Sequence, residues 1–119
     1  MTYLVTGGTG LIGSRIVRDL VREGEQVVVY DWVPAKRSLE RLLSDEEIEG
    51  MVNIVRGDVT DSPHLFRTIT ENDVQTIVHT ASLLAVESNA NPLWALKVNC
   101  EGTICVFEAA RVLGLKKVV

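Results

Sequence analysis

The chain has 119 residues, enough for one compact domain, and its 46% hydrophobic and 24% charged residues are typical of an ordinary globular protein. A net charge of −4 with scattered basic residues argues against a nucleic-acid partner. No apolar stretch is long enough to cross a bilayer, and the N-terminus lacks the features of a signal peptide. Cys100 and Cys105 are not spaced to face each other on a helix, so we expect reduced thiols, no metal site and a cytoplasmic location.

Strand patterns and helix patterns alternate along the whole chain. Five short runs are apolar and rich in β-branched side chains, which predicts strands over 3–6, 26–30, 51–55, 74–79 and 116–119. Apolar positions at the helical period lie between these runs. They predict helices over 11–23, over about 38–49, from Asp61 or Ser62 through Ile69, and from Pro92 to Leu113 with Gly114 as the stop.

This alternation predicts an α/β fold, namely a doubly wound parallel sheet of the Rossmann type. Right-handed crossovers place helices on both faces, and the strand order expected is 3-2-1-4-5. A ligand is then expected at the carboxyl edge, between strands 1 and 4, where the strand order reverses. We find no internal repeat or linker, so residues 1–119 are predicted to lie within one dinucleotide-binding domain.

The first strand runs into a glycine-rich turn, TGGTGLIG at 6–13. Gly7 allows a tight turn out of the strand, Gly10 lets backbone approach a pyrophosphate, and Gly13 lets the helix pack closely on the sheet. The first amide groups of the helix that follows direct their N–H bonds toward the phosphates. The turn follows a strand, opens a helix and therefore predicts a dinucleotide site rather than an incidental surface turn.

Asp31 follows the second predicted strand, where a carboxylate can accept hydrogen bonds from an adenosine ribose. The same negative charge repels a 2′-phosphate, which favours NAD over NADP. Lys36 and Arg37 lie in the next loop and are able to hold a phosphate, so NADP stays the less favoured alternative.

Several segments together make the chain resemble the extended short-chain dehydrogenase/reductase superfamily, and within it the N-terminal portion of the NAD-dependent epimerase/dehydratase family typified by UDP-glucose 4-epimerase. The resemblance covers essentially the whole chain. It is carried by TGGTGLIG at 6–13, Asp31, GDVTD at 57–61, VHTAS at 78–82 and VNCEGT at 98–103.

The resemblance implies a set of cofactor-binding residues. Gly7, Gly10, Leu11, Ile12 and Gly13 would belong to the pyrophosphate turn. For the adenosine end, it implies that Asp31 holds the ribose and that Asp58 and Val59 contact adenine, the carboxylate accepting from the exocyclic amino group. The remaining implied residues are Thr80, Ala81 and Ser82 at the end of strand 4 and Asn99 near the nicotinamide.

Four of the notable residues also have a purely structural interpretation. Asp58 after Gly57 is also a common turn residue. We interpret His79 as a hydrogen-bonded strand-end histidine rather than a catalytic base. Asn99 can serve only as a hydrogen-bonding group of its helix. We interpret Trp94 as core or interface surface rather than part of a ligand site.

No catalytic residue is assigned. The resemblance implies a Ser/Thr after strand 5 and a Tyr-x-x-x-Lys pair, but neither Tyr3 nor Tyr30 has a lysine four residues later. We therefore expect this chain to be a portion of an epimerase or dehydratase acting on a nucleotide sugar, which forms a homodimer or self-associates. The alternatives are a non-catalytic dinucleotide sensor and an NADP-dependent reductase of a steroid- or flavonoid-like carbonyl.

Overall fold

The computed structural model describes residues 1–119 and contains one five-stranded parallel sheet. The strand order is β3-β2-β1-β4-β5, so the predicted fold class and strand order are confirmed. The strands are β1 (Thr2–Thr6), β2 (Gln26–Asp31), β3 (Val52–Arg56), β4 (Thr76–His79) and β5 (Lys117–Val118).

Helices cover both faces of the sheet. Successive residues of a strand point to opposite faces, so Leu4 and Val5 of β1 enter two different hydrophobic clusters. Helices α4 and α7 supply the first cluster, whereas α1, α2 and α3 supply the second. The helices are α1 (Leu11–Arg22), α2 (Lys36–Glu40), α3 (Asp45–Met51), α4 (Ser62–Glu71), α5 (Ala85–Ala90), α6 (Pro92–Leu96) and α7 (Gly102–Leu113).

The single helix expected over about 38–49 is wrong, because this segment forms the separate helices α2 and α3. Ser44 begins the second of them with a capping box, in which its hydroxyl accepts from the Glu47 amide at 3.1 Å and its own amide donates to the Glu47 carboxylate at 2.7 Å. The S-x-x-E pattern of this capping box is visible in the sequence at residues 44–47.

The long helical region predicted after Pro92 is continuous but not uniform. A π-helical segment, Lys97–Glu101, separates α6 from α7, and Gly114 ends α7 in the left-handed region with φ of +65°. The short helix α5 was not predicted, because it carries no buried residue and so has no apolar stripe. None of the helices combines the length and the apolar character needed to span a bilayer.

Candidate functional site

A cavity of about 290 Å³ opens at the carboxyl edge of the sheet, beside the point between β1 and β4 where the strand order reverses. Parallel strands end at the same edge, so the segments following β1, β2, β3 and β4 meet there. The cavity is lined by Gly7, Gly10, Tyr30, Asp31, Trp32, Val33, Gly57, Asp58, Val59, Thr80, Ala81, Ser82, Leu83, Trp94 and Val98.

The glycine turn forms one wall of this cavity. Gly7 has φ of +66°, and its amide donates to the Tyr30 carbonyl at 2.9 Å. A Cβ at Gly7 would lie 3.0 Å from the Ala81 amide nitrogen, and a Cβ at Gly13 would overlap the Gly7 carbonyl. Glycine is therefore required at both positions, one for the turn and one for packing α1 against it.

Helix α1 begins at Leu11 without a side-chain cap and without an acidic residue in its first turn. Its first amides, at Leu11, Ile12 and Gly13, consequently have no side-chain acceptor and lie at the positive end of the helix dipole. The side chains of Leu11 and Ile12 are exposed, and none of these three residues lines the cavity. Any contact they make with an anion would come from the backbone.

Asp31 ends β2 and lies in the cavity wall with one of its oxygens held in place. Thr9 donates to Asp31 Oδ2 twice, from its amide at 3.0 Å and from its hydroxyl at 2.7 Å. The Thr9 hydroxyl oxygen also accepts from the Ala35 amide at 3.0 Å, which ties the glycine turn to the start of α2. The carboxylate is therefore oriented before any ligand binds.

The next residue, Trp32, is half-exposed and packs beside the same corner. The Arg56 guanidinium lies over its ring at 5.8 Å from the ring centroid, within cation–π range. Arg56 pairs with Asp31 across the β2–β3 ladder, so this corner carries one positive and one negative side chain.

Asp58 lies in the loop after β3 and also lines the cavity. Its Oδ1 accepts from the Thr60 amide at 2.9 Å and from the Thr60 hydroxyl at 2.7 Å, which is the geometry of an Asx turn. The turn interpretation and the cavity position are thus compatible. Val59 is buried and contacts the first residue of α7, Gly102, where a Cβ would lie 2.5 Å from the Val59 side chain.

His79 supports the loop after β4 from behind. Its Nδ1 lies 2.7 Å from the Thr6 hydroxyl and its Nε2 lies 3.0 Å from the Thr103 hydroxyl. The Thr6 oxygen already accepts from the amides of Thr80 and Ala81, at 3.1 and 3.2 Å, so its one proton goes to Nδ1. His79 is therefore neutral, burial lowers its pKa, and the interpretation as a hydrogen-bonded strand-end histidine is confirmed.

Asn99 lies in the π-helical segment and does not line the cavity. Its amide group binds the backbone of Leu83 in both directions, accepting from the nitrogen at 2.8 Å and donating to the oxygen at 3.0 Å. These bonds reach a neighbouring loop, not its own helix. Leu83 does line the cavity, so Asn99 acts on the cavity wall from outside.

A family model for GDP-mannose 4,6 dehydratase matches residues 4–119. The chain belongs to this family. Together with the fold, this agrees with the epimerase/dehydratase resemblance expected from the motifs.

Relatives at about a third identity have the same character. UDP-glucose 4-epimerase of Bacillus subtilis is 36% identical over 121 residues, which is all of this chain and 35% of that protein. A UDP-glucose 4-epimerase sequence of Klebsiella pneumoniae is 32% identical, and the match covers all of this chain and 86% of that sequence. The chain thus spans about a third of the length of the Bacillus relative.

Solved structures share the fold closely. UDP-glucose-4-epimerase from Stenotrophomonas maltophila, determined with bound NAD and formylated UDP-arabinopyranose, superposes with a TM-score of 0.86 at 29% identity over 99% of this chain and 35% of that one. L-threonine dehydrogenase from Phytophthora infestans superposes with a TM-score of 0.78 at 34% identity over 98% of this chain and 34% of that one.

Eight of the twelve residues predicted for cofactor binding line the one cavity, and Leu11, Ile12, Gly13 and Asn99 do not. Motif spacing missed the large side chains of the wall, above all Tyr30, Trp32 and Trp94. Trp94 is 40% exposed and borders the cavity, so it is not a core residue, and its place in an interface stays a prediction. Asn91 caps α6, which carries Trp94, and its Oδ1 accepts from the Trp94 amide at 3.1 Å.

Proposed function

We propose that this chain is the NAD-binding N-terminal portion of an epimerase or dehydratase that acts on nucleotide sugars. The observation that carries the proposal is the convergence of the glycine turn, Asp31 and Asp58 on one cavity at the reversal of strand order. Relatives that bear epimerase names, and solved epimerases with bound NAD, support it.

The residues of the cavity fit a dinucleotide. The turn from Gly7 to Gly13 and the uncapped start of α1 suit a pyrophosphate, because they offer backbone amides without intervening side chains. Asp31, oriented by Thr9, would hold the adenosine ribose, and Asp58 with Val59 would contact adenine. A side chain at Gly10, which lines the cavity, would block the approach of a pyrophosphate to the backbone of this turn.

The end of β4 would face the rest of the cofactor. Thr80, Ala81 and Ser82 would line it with small side chains, and Asn99 would support that wall through the Leu83 backbone. NAD, when bound, supplies a hydride acceptor. In this proposal the 119 residues bind and orient the cofactor, and residues outside them act on the substrate.

Titration calorimetry tests the cofactor assignment. We expect weak binding of NAD and ADP-ribose, weaker binding of NADP, and no turnover by the 119-residue chain. ADP-ribose lacks nicotinamide, so similar affinities for it and NAD would place the binding energy at the adenosine and pyrophosphate end. Failure of all three ligands to bind would contradict the proposal.

A second candidate substrate class comes from the solved threonine dehydrogenases, two of which exceed 30% identity. In this interpretation the epimerases and the threonine dehydrogenases would share the cofactor-binding portion and differ in the portion that binds the substrate. The protein that contains this chain should interconvert a nucleotide sugar without net reduction of NAD if it is an epimerase. Accumulation of NADH with L-threonine would favour the dehydrogenase. Relatives with enzyme names favour either activity over a non-catalytic sensor, and Asp31 disfavours the NADP-dependent reductase.

We also propose a cytoplasmic homodimer or self-associating chain. The thiols of Cys100 and Cys105 are free, as in a reducing compartment.

The proposed association rests on apolar side chains of α6 and α7 that are more than half exposed, namely Leu93, Leu96, Ile104, Phe107 and Val112. Light scattering after gel filtration should detect association, and a Phe107→Ser variant should shift the chain toward monomer. If the unmodified chain is monomeric, the proposed self-association is contradicted.

A further inference from the structure

Tyr30 is a fully buried tyrosine at the end of β2 whose ring borders the cavity. It lies directly beneath the loop after β3. A Cβ at Gly57 would overlap the Tyr30 ring, so the tyrosine requires glycine at that position. The ring therefore fixes how closely this loop approaches the sheet.

The Tyr30 hydroxyl has two partners, the Asp58 carbonyl at 3.1 Å and His64 Nδ1 at 2.9 Å. A phenol has one proton, and a carbonyl oxygen can only accept. Both contacts are hydrogen bonds in one arrangement: Tyr30 donates to Asp58, and protonated Nδ1 of His64 donates to Tyr30. Burial raises the pKa of Tyr30, and the charges of Asp61 and Asp58 raise it further, so the phenol stays a donor.

His64 is itself held by the first turn of α4. Asp61 caps this helix by accepting from the His64 amide at 3.1 Å, and the His64 ring lies 5.4 Å from the Tyr30 ring, centroid to centroid. The carbonyl of Asp58 is therefore bonded to Tyr30 of β2, which is bonded in turn to His64 of α4. Its carboxylate is separately anchored by Thr60.

We propose that Tyr30 and His64 are positioning residues that place Asp58 to recognise the amino group of an adenine base. The inference deepens the proposed function and rests on it, because Asp58 has an adenine partner only if the cavity binds a dinucleotide. Its consequence is selectivity for adenine over hypoxanthine. Hypoxanthine has a carbonyl oxygen where adenine has the amino group, and neither that oxygen nor the Asp58 carboxylate has a proton to donate.

The test compares NAD with nicotinamide hypoxanthine dinucleotide for the chain and for Tyr30→Phe. Trp32 and Trp94 are the only tryptophans and both border the cavity, so their fluorescence can report binding. We expect Tyr30→Phe to bind NAD about three- to tenfold more weakly than the unmodified chain does, which is the scale of one lost hydrogen bond. Its affinity for the hypoxanthine analogue should stay within about twofold of that of the unmodified chain. The ratio of the two affinities should fall accordingly.

Two further variants frame the result. Tyr3→Phe is the matched control, since Tyr3 lies in β1 and does not border the cavity, and it should leave the ratio unchanged. His64→Ala should lower the ratio in the same direction as Tyr30→Phe. Because His64 is only partly buried, this variant carries the test if Tyr30→Phe fails to fold.

The possible failures separate. If the unmodified chain binds NAD and the ratio is unchanged in Tyr30→Phe and His64→Ala, the positioning role is refuted and the proposed function stands. Equal loss of both affinities would mean a general structural role and would also refute the positioning role. If the unmodified chain does not bind NAD, the proposed function fails and this inference fails with it.

Discussion

Replacing Asp31 by asparagine is expected to weaken NAD binding while leaving the fold intact. In the structure both hydrogen bonds from Thr9 reach a single oxygen, Oδ2, and an asparagine carbonyl can accept both. The second oxygen becomes an amino group, which cannot accept from a ribose hydroxyl. A hydrogen bond to a charged group contributes about 1.5–3 kcal/mol, so affinity for NAD should fall by about 10- to 150-fold.

The assay is a titration of Asp31→Asn with NAD and NADP, monitored by calorimetry or tryptophan fluorescence. Removing the carboxylate charge also removes its repulsion of the 2′-phosphate, so the affinity for NADP relative to NAD should rise. Asp45→Asn is the matched control. It makes the same charge change at an exposed position in the first turn of α3 and should leave both affinities unchanged.

Two results would refute this reasoning. An unchanged dissociation constant for NAD would remove Asp31 from the ribose site, and tighter binding of NADP than NAD by the unmodified chain would reverse the inferred preference. Urea unfolding supplies a separate check. The free energy of unfolding of Asp31→Asn should stay within about 1 kcal/mol of the parent chain, since the Thr9 bonds keep an acceptor.

Three other predictions concern stability. Gly13→Ala should lower the free energy of unfolding by at least about 2 kcal/mol, because the added Cβ overlaps the Gly7 carbonyl. Gly50→Ala is the control, since the space around Gly50 is open. Equal effects of the two substitutions in urea titrations would contradict the packing argument. Ser44→Ala should cost about 0.5–2 kcal/mol through loss of the capping box, and a neutral result by the same assay would refute it. Burial lowers the pKa of His79 from 6.5 in the folded chain. As the pH falls below 6.5, the unfolded chain therefore binds a proton more readily than the folded chain, and the stability that neutral His79 contributes above pH 6.5 is lost. His79→Asn should flatten that decline in thermal melts, and an unaltered pH profile would exclude His79 as its source.

Local patterns predicted most of the fold. The five strands were recognised from short apolar runs, although β3 and β4 begin later than expected, at Val52 and Thr76. One continuous helix over about 38–49 could not bury both Leu39 and Ile48 on one face, because at about 100° per residue they would lie on opposite sides of it. Leu39, Leu43 and Ile48 all pack into the same cluster, with Leu39 in α2, Leu43 in the connection between the helices and Ile48 in α3. The break between the two helices is what brings Leu39 and Ile48 to the same side of the sheet.

The site was predicted in part. Glycines with a geometric requirement and a carboxylate at a strand end have sequence signatures, and Gly7, Gly10, Asp31 and Asp58 do border one cavity. Trp94 has no such signature. It reaches the cavity because α6 crosses the carboxyl edge of the sheet, which depends on packing between segments distant in sequence.

The amino-acid sequence by itself determined the order of strands and helices, the glycine turn and its acidic partner, because these depend on residues close together in the chain. Only the tertiary structure decided which groups share hydrogen bonds across it. The pairing of Tyr30 with His64 and of Asn99 with Leu83 joins residues 34 and 16 positions apart. The physical reason is that a buried polar group takes whichever partner the packing of the sheet and helices brings within 3 Å, and no local pattern encodes that choice.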